Sequence, residues 1–93
     1  MPLKFEWDEK KAKTNATKHG MGFEEAATVF ADPLSLTIPD PAHSQAEDRF
    51  ILLGKSHAGK LLVVCHTERG DNLRILSARR ASRRERKNYE EDI

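Results

Sequence analysis

The chain has 93 residues, 38% hydrophobic and 33% charged, with 16 Lys plus Arg against 15 Asp plus Glu and a net charge of +1. One domain over residues 1–93 fits that length and buries roughly two-thirds of its unfolded surface, but a mean hydropathy of −0.69 leaves a thin core that a permanent partner would help stabilise. The longest apolar run, "KLLVVC", is too short to cross a bilayer, and "MPLKFEWDEK" holds no apolar signal region, so a cytoplasmic protein is expected. Cys65 is the only cysteine. It excludes an internal disulfide and a multi-thiolate metal site, and reads as a small core hydrophobe.

"LKFEW" alternates weakly and predicts a short edge strand. Asp8 offers an N-cap and Glu9 suits the positive end of a helix over "EKKAKTNATKH". Ala12 and Ala16 are its thin apolar stripe, Lys18 and His19 lie in its last turn, and Gly20 is an αL stop. A second helix is capped by Gly22, carries Phe23, Ala26, Ala27 and Phe30 at helical spacing with Val29 beside them, and ends at Asp32-Pro33. The period then changes to two. "LSLTI" is a short strand, "PDPAHSQAE" a Pro-rich connection, and "RFILLGK", "KLLVVCHTE" and "NLRILSA" are strands joined by turns at "SHAG" and "RGDN". The three longer strands are apolar on both faces, which predicts that both faces are covered. Ser82 with Glu85 three residues on forms a capping box for a last helix. The expected fold is α+β: an antiparallel sheet of three to four strands, two N-terminal helices and one C-terminal helix.

Charge is unevenly spread. From Arg69 to Lys87, eight of nineteen residues are Lys or Arg, seven of them Arg, against Asp71 and Glu85. Arg79 and Arg80 fall at the strand end, and Arg83, Arg84, Arg86 and Lys87 in the first two turns of the helix. Cations there oppose the helix dipole, so a helix built for stability alone would not place them. Free N–H groups ringed by guanidinium suit phosphate, and Arg favours bidentate phosphate or carboxylate contacts over plain solubility. The helix lacks an apolar face, with only Tyr89 and Ile93 large and apolar. A solvated surface helix is the competing reading of the same residues.

The segments "FEWDEKKAKTNATKHGMGFEEAATVFADP", "RFILLGKS" and "LLVVCHTERGDNLRILSARRASRRERKNYE" resemble the BrnT family of type II toxins over nearly the whole chain. The patterns N-x-x-K-H-G-x-x-F-E-E-A at Asn15–Ala26 and R-I-L-S-A-R-R-A-S-R-R-E-R at Arg74–Arg86 carry the resemblance. Gly22 departs from the Ser or Asp common there. The resemblance implies a RelE-like fold and an endoribonuclease that blocks translation on an RNA substrate, free or ribosome-associated. It also implies neutralisation by a BrnA-like antitoxin, as a two-plus-two complex that binds operator DNA through the antitoxin and represses its own promoter.

Metal-independent RNA cleavage makes a 2′-hydroxyl attack the adjacent phosphate. It needs a proton acceptor, a proton donor and cations for the dianionic transition state. No metal-spaced carboxylate or His cluster is visible in the sequence, so no metal or cofactor is expected. Arg79 and Arg83 are the first candidates for the charge role, on the expectation that neither supports its own helix. His19 and Lys18, in the family motif, are the acid–base candidates. Arg80, Arg84, Arg86, Lys87 and Arg69 are the RNA-binding candidates. His66 reads as a satisfied core or rim histidine, His57 and His43 as solvated turn residues, Tyr89 as a packing residue, and Phe5 and Trp7 as aromatics claimed by the core rather than by a base. The alternative function is a module without chemistry that binds nucleic acid or a partner through the basic C-terminal helix.

Overall fold

The computed structural model describes residues 3–43 and 47–91. The elements run β1 Lys4–Glu6, α1 Glu9–His19, α2 Phe23–Thr28 with a 3₁₀ turn at Val29–Ala31, β2 Leu36–Pro39, β3 Arg49–Lys55, β4 Leu61–Arg69, β5 Asn72–Arg80 and α3 Arg83–Glu91. The strands form one sheet in the order β1-β5-β4-β3-β2. β2 to β5 are an antiparallel meander. β1 adds to the outer edge of β5 in parallel, with Phe5 opposite Leu73.

This corrects the expected strand count and direction: among the described residues the sheet has five strands and is mixed. A parallel neighbour needs a long crossover, and no local pattern announces which distant strand it will join. Glu6 secures the three-residue strand by accepting from Asn72 Nδ2 at 3.2 Å and Arg74 Nη1 at 2.9 Å. The Asn72 and then the Arg74 hydrogen bonds hold its carboxyl below the ordinary range.

Helix boundaries follow local chemistry. Asp8 Oδ1 accepts from the N–H groups of Lys10 and Lys11 at 2.8 and 3.2 Å, and Gly20 ends α1 at φ 65°. The inward face of α1 differs from the Ala12–Ala16 stripe: Ala16 is exposed, and the buried residue is Asn15. Its amide donates to Ala78 O at 2.8 Å and Met21 O at 2.9 Å, and its Oδ1 accepts from Ala78 N at 3.0 Å. β1 pairs with β5 only at 72–74. Asn15 therefore acts as a one-residue strand that closes the β5 edge further along.

Met21, Phe23, Ala26 and Val29 pack on Leu52, Leu62, Val64, Ile75 and Ala78 to make the core. Each large side chain so buried contributes about 1.5–3 kcal/mol. Phe5 packs on Phe30 and Trp7 on Phe23, with ring centroids 5.1 and 5.9 Å apart. The core thus holds both aromatics. The 3₁₀ turn approaches β3 at Gly54, where a Cβ would lie 2.9 Å from Ser35 Cβ and 3.0 Å from Val29 Cγ1. That close approach aims Asp32 at the end of the sheet. It accepts from Lys55 N at 2.8 Å, Leu34 N at 3.0 Å and the buried Tyr89 hydroxyl at 2.8 Å. Burial pushes the Asp32 carboxyl up, but these donors together hold it below its ordinary value. Burial and Asp32 raise the Tyr89 hydroxyl to about 12. This is how α3 is tethered with so little apolar surface; Ile93 lies outside the described residues.

Two further expectations are corrected. The helix layer covers one face of the sheet; on the other, α3 crosses only part, and Ile38 is 56% exposed. His66 is buried between Phe30 and Phe50, at centroid distances of 4.8 and 5.7 Å, but it is not satisfied: its Nδ1 has no hydrogen-bond partner among the described residues. Burial pulls this imidazole below its ordinary value.

Candidate nucleic-acid interface

The open face of the sheet is built by alternation. Arg49, Ile51 and Leu53 of β3 point the same way as Val63 and Cys65 of β4, and Ser77 and Arg79 of β5 stand opposite Cys65 and Val63. Between the pairs Cys65–Ser77 and His66–Ile75 one residue, Leu76, has no partner, so β5 carries a β-bulge. The bulge lets Ile75 and Ala78, three apart, both face the core, and it turns Leu76 and Ser77 outward toward α1.

Two adjoining hollows result. One, of about 370 Å³, is lined by Lys10, Lys11, Thr14, Asn15, Lys18 and His19 of α1 with Leu76 and Ser77. The other, of about 320 Å³, is lined by Lys11, Asp40, Arg49, Cys65, Leu76 and Ser77. They share Lys11, Leu76 and Ser77, so they form one cleft from the end of α1 across β5 and β4 to β3. Four Lys and Arg side chains line it besides His19, against the single acid Asp40. Arg79 stands two residues beyond Ser77 on the same face. The asymmetry of charge gives the cleft a positive potential.

Arg79 is already engaged. Its Nη1 and Nη2 donate to Glu85 Oε1 and Oε2 at 2.8 and 2.9 Å. Glu85 Oε1 also accepts from Ser82 N at 2.8 Å, and Ser82 Oγ accepts from Glu85 N at 3.2 Å, so the expected capping box is present. The Arg79 hydrogen bonds, foremost, hold the Glu85 carboxyl down at about 2 against the opposing effect of burial. The same bonds raise the Arg79 guanidinium. Arg79 therefore does support its own helix, through Glu85, which corrects that expectation. Arg83 is exposed in the first turn of α3 and has no ion-pair or hydrogen-bond partner among the described residues.

The basic stretch read as one block is divided by the fold. Arg80 pairs with Leu62 and so emerges on the helix side of the sheet, opposite to Arg79. Arg84, Arg86 and Lys87 are exposed on α3. Arg69 sits at the far end of β4, 3.4 Å from Glu47. Eight residues of strand rise put it roughly 25 Å from the α3 start. Lys18 and His19, distant in sequence, do reach the cleft. Missed altogether were Lys10, Lys11, Thr14, Arg49 and Ser77. Lys11, Asn15 and Lys18 recur at i, i+4 and i+7, a readable face of α1, whereas Arg49 and Ser77 needed the strand register. His57 is exposed in its turn. Among the described residues no group of three His, Cys, Asp or Glu converges at metal-binding distance, and no helix is long and apolar enough to cross a membrane.

The fold and cleft define a class: a small α+β domain with a cationic cleft on the open face of its sheet. The family model described as "Ribonuclease toxin, BrnT, of type II toxin-antitoxin system" matches residues 7–85, and the chain belongs to that family. It is similar to the crystal structure of the Brucella abortus ribonuclease toxin BrnT, at 26% identity over 88% of this chain and 100% of that one, with a TM-score of 0.69. No curated protein matches.

Proposed function

We propose that this ribonuclease toxin cleaves RNA without a metal ion, in the cleft between α1 and the open sheet face. The observation that carries the reading is the convergence of Lys11, Lys18 and His19 of α1 with Arg49 of β3 on one cleft, from two elements far apart in sequence. Arg79 stands on the same face, at the start of the Arg-rich helix. The RNA backbone lies along the cleft, with lysines on its phosphates. His19 and Lys18 exchange the protons of the 2′-hydroxyl and the leaving 5′-oxygen. Arg79 and Arg83 stabilise the charge that develops on the phosphorus oxygens. A phosphate must exchange with the Glu85 carboxylate for the Arg79 fork, a substitution of one bidentate anion for another.

On this reading the activity halts translation in the cytoplasm, with the RNA free or on the ribosome, and the fold is of the RelE type. A BrnA-like antitoxin holds the toxin in a two-plus-two complex and carries it to operator DNA. The purified chain incubated with RNA in EDTA tests the chemistry. Cleavage to 2′,3′-cyclic phosphate ends is expected. Loss of cleavage in EDTA with recovery on Mg²⁺ overturns the metal-free mechanism. Binding without any cleavage favours a module that only holds nucleic acid.

A further inference from the structure

The open face of the sheet has two halves of opposite chemistry. The half toward α1 is the cationic cleft. The half toward β2 is a groove of about 260 Å³ floored by Leu36, Ile38, Ile51, Leu53 and Val63 and walled by Glu85 and Asn88 of α3. Five aliphatic side chains meet there with no charged residue among them. Ile38 is 56% exposed in a sheet whose interior aliphatics are almost fully buried. Single-stranded RNA is held by cations and by aromatic platforms, and this floor supplies neither. The volume lies below the range of small-molecule and cofactor sites, and suits one or two anchoring side chains of a protein.

The rim identifies the partner's chemistry. Arg84, one helical turn before Asn88 and so on the groove side of α3, has no ion-pair or hydrogen-bond partner among the described residues; Arg83, Arg86 and Lys87 lie further round the helix, and Lys87 meets Glu91 only at 4.0 Å. Glu85, the acid that borders the groove, is neutralised by Arg79. An aliphatic floor beside an uncompensated guanidinium group calls for a segment that carries aliphatic anchors flanked by Asp or Glu.

We propose that the groove between α3 and the β2–β3–β4 half of the open face receives such an apolar–acidic segment of the antitoxin. The proposal rests on the toxin–antitoxin reading of the chain and adds where the partner sits. Arg79 and Glu85 lie on the border of groove and cleft, so an antitoxin seated in the groove crowds Arg79 and competes with RNA for it.

The test uses the toxin and the protein encoded by the reading frame beside it, with affinity measured by calorimetry and RNA cleavage measured separately. Ile38→Asp puts an acid into the groove, and Arg84→Glu reverses the rim charge on an exposed helix position that packs nothing. Each is expected to weaken the complex by on the order of thirtyfold with the circular dichroism spectrum of the free toxin unchanged, and Ile38→Asp is expected to leave its RNA cleavage unchanged. Wild-type affinity in both variants, or no complex between the two proteins, overturns the proposal. So does loss of RNA binding in Ile38→Asp with antitoxin affinity intact, which would make the groove part of the nucleic-acid surface. Should the wild-type chain prove unable to cut RNA while both variants still lose the antitoxin, the catalytic reading fails and the docking site stands.

Discussion

Arg79→Ala and Arg83→Ala separate chemistry from stability because the fold treats the two arginines differently. Arg79 makes two charge-assisted hydrogen bonds to Glu85, at 2.8 and 2.9 Å. The side chains keep 44% and 27% of their exposure, so solvent screens the pair and its net worth is about 1 kcal/mol. For a domain of this size that is a melting shift of roughly 4–8 °C. Arg83 has no such partner and stands against the helix dipole, so its removal leaves stability unchanged or raises it by a few tenths of a kcal/mol. Both removals take a cation from the developing phosphorane, with a loss of about 10²–10³-fold in cleavage rate. Glu85→Gln is the control. It loses the ion pair and melts lower, like Arg79→Ala, but it keeps the cation and therefore retains cleavage. Calorimetric melts and single-turnover cleavage at pH 7 read both quantities. If Arg79→Ala and Arg83→Ala both cut RNA within about threefold of wild type, the charge role is wrong. If Glu85→Gln loses as much cleavage as Arg79→Ala, the pair acts as a structural unit and the arginine has no separate part in the chemistry.

Asn15→Ala should cost about 3 kcal/mol, since it strips three hydrogen bonds and leaves buried Ala78 and Met21 backbone groups unpaired; an urea midpoint within error of wild type would refute its role in closing the β5 edge. Glu6, Asp32, Glu85 and His66 are all lowered in the fold and together set the acid limb of stability. Glu85 is lowered from 4.5 to about 2, so its contribution is complete above pH 4.5 and is lost as pH falls toward 2. His66 is lowered from 6.5 by burial, so stability declines as pH falls below 6.5 toward the folded value. His66→Leu should flatten the pH 7 to 5 segment of a denaturation series, and an unchanged slope contradicts the burial argument. Gly54→Ala should destabilise by about 1–3 kcal/mol, because its Cβ meets Ser35 and Val29 at 3.0 Å or less. Expression without antitoxin should arrest growth by stopping protein synthesis, and normal growth with soluble toxin present contradicts the proposed function.

Much of the architecture was legible in local chemistry. Asp8, Gly20, Ser82 and Glu85 mark helix ends by hydrogen bonds that span four residues or fewer, and period-two alternation located β3, β4 and β5. What was illegible depends on long-range register. Nothing local says that β1 joins β5 in parallel, that Leu76 bulges, or that Asn15 rather than Ala16 turns inward to bond Ala78. The site suffered from the same blindness. Reading Arg69 to Lys87 as one patch ignored the strand rise that carries Arg69 to the other end of the sheet. It also ignored the alternation that sends Arg79 and Arg80 to opposite faces. Arg49 and Ser77 enter the cleft only through pairing with β4. Lys18 and His19 came from a motif, and the fold brings both to the cleft.

The central claim is that RNA occupies the cleft between α1 and the open sheet face. Amide chemical-shift mapping with a 2′-O-methyl oligoribonucleotide, which lacks the attacking hydroxyl and so is not cut, tests it most directly. Perturbations clustered on Lys11, Lys18, Arg49, Cys65, Ser77 and Arg79 are the predicted result. Perturbations confined to Arg80 and the helix-covered side around Thr28, Ser56 and His57 would contradict it.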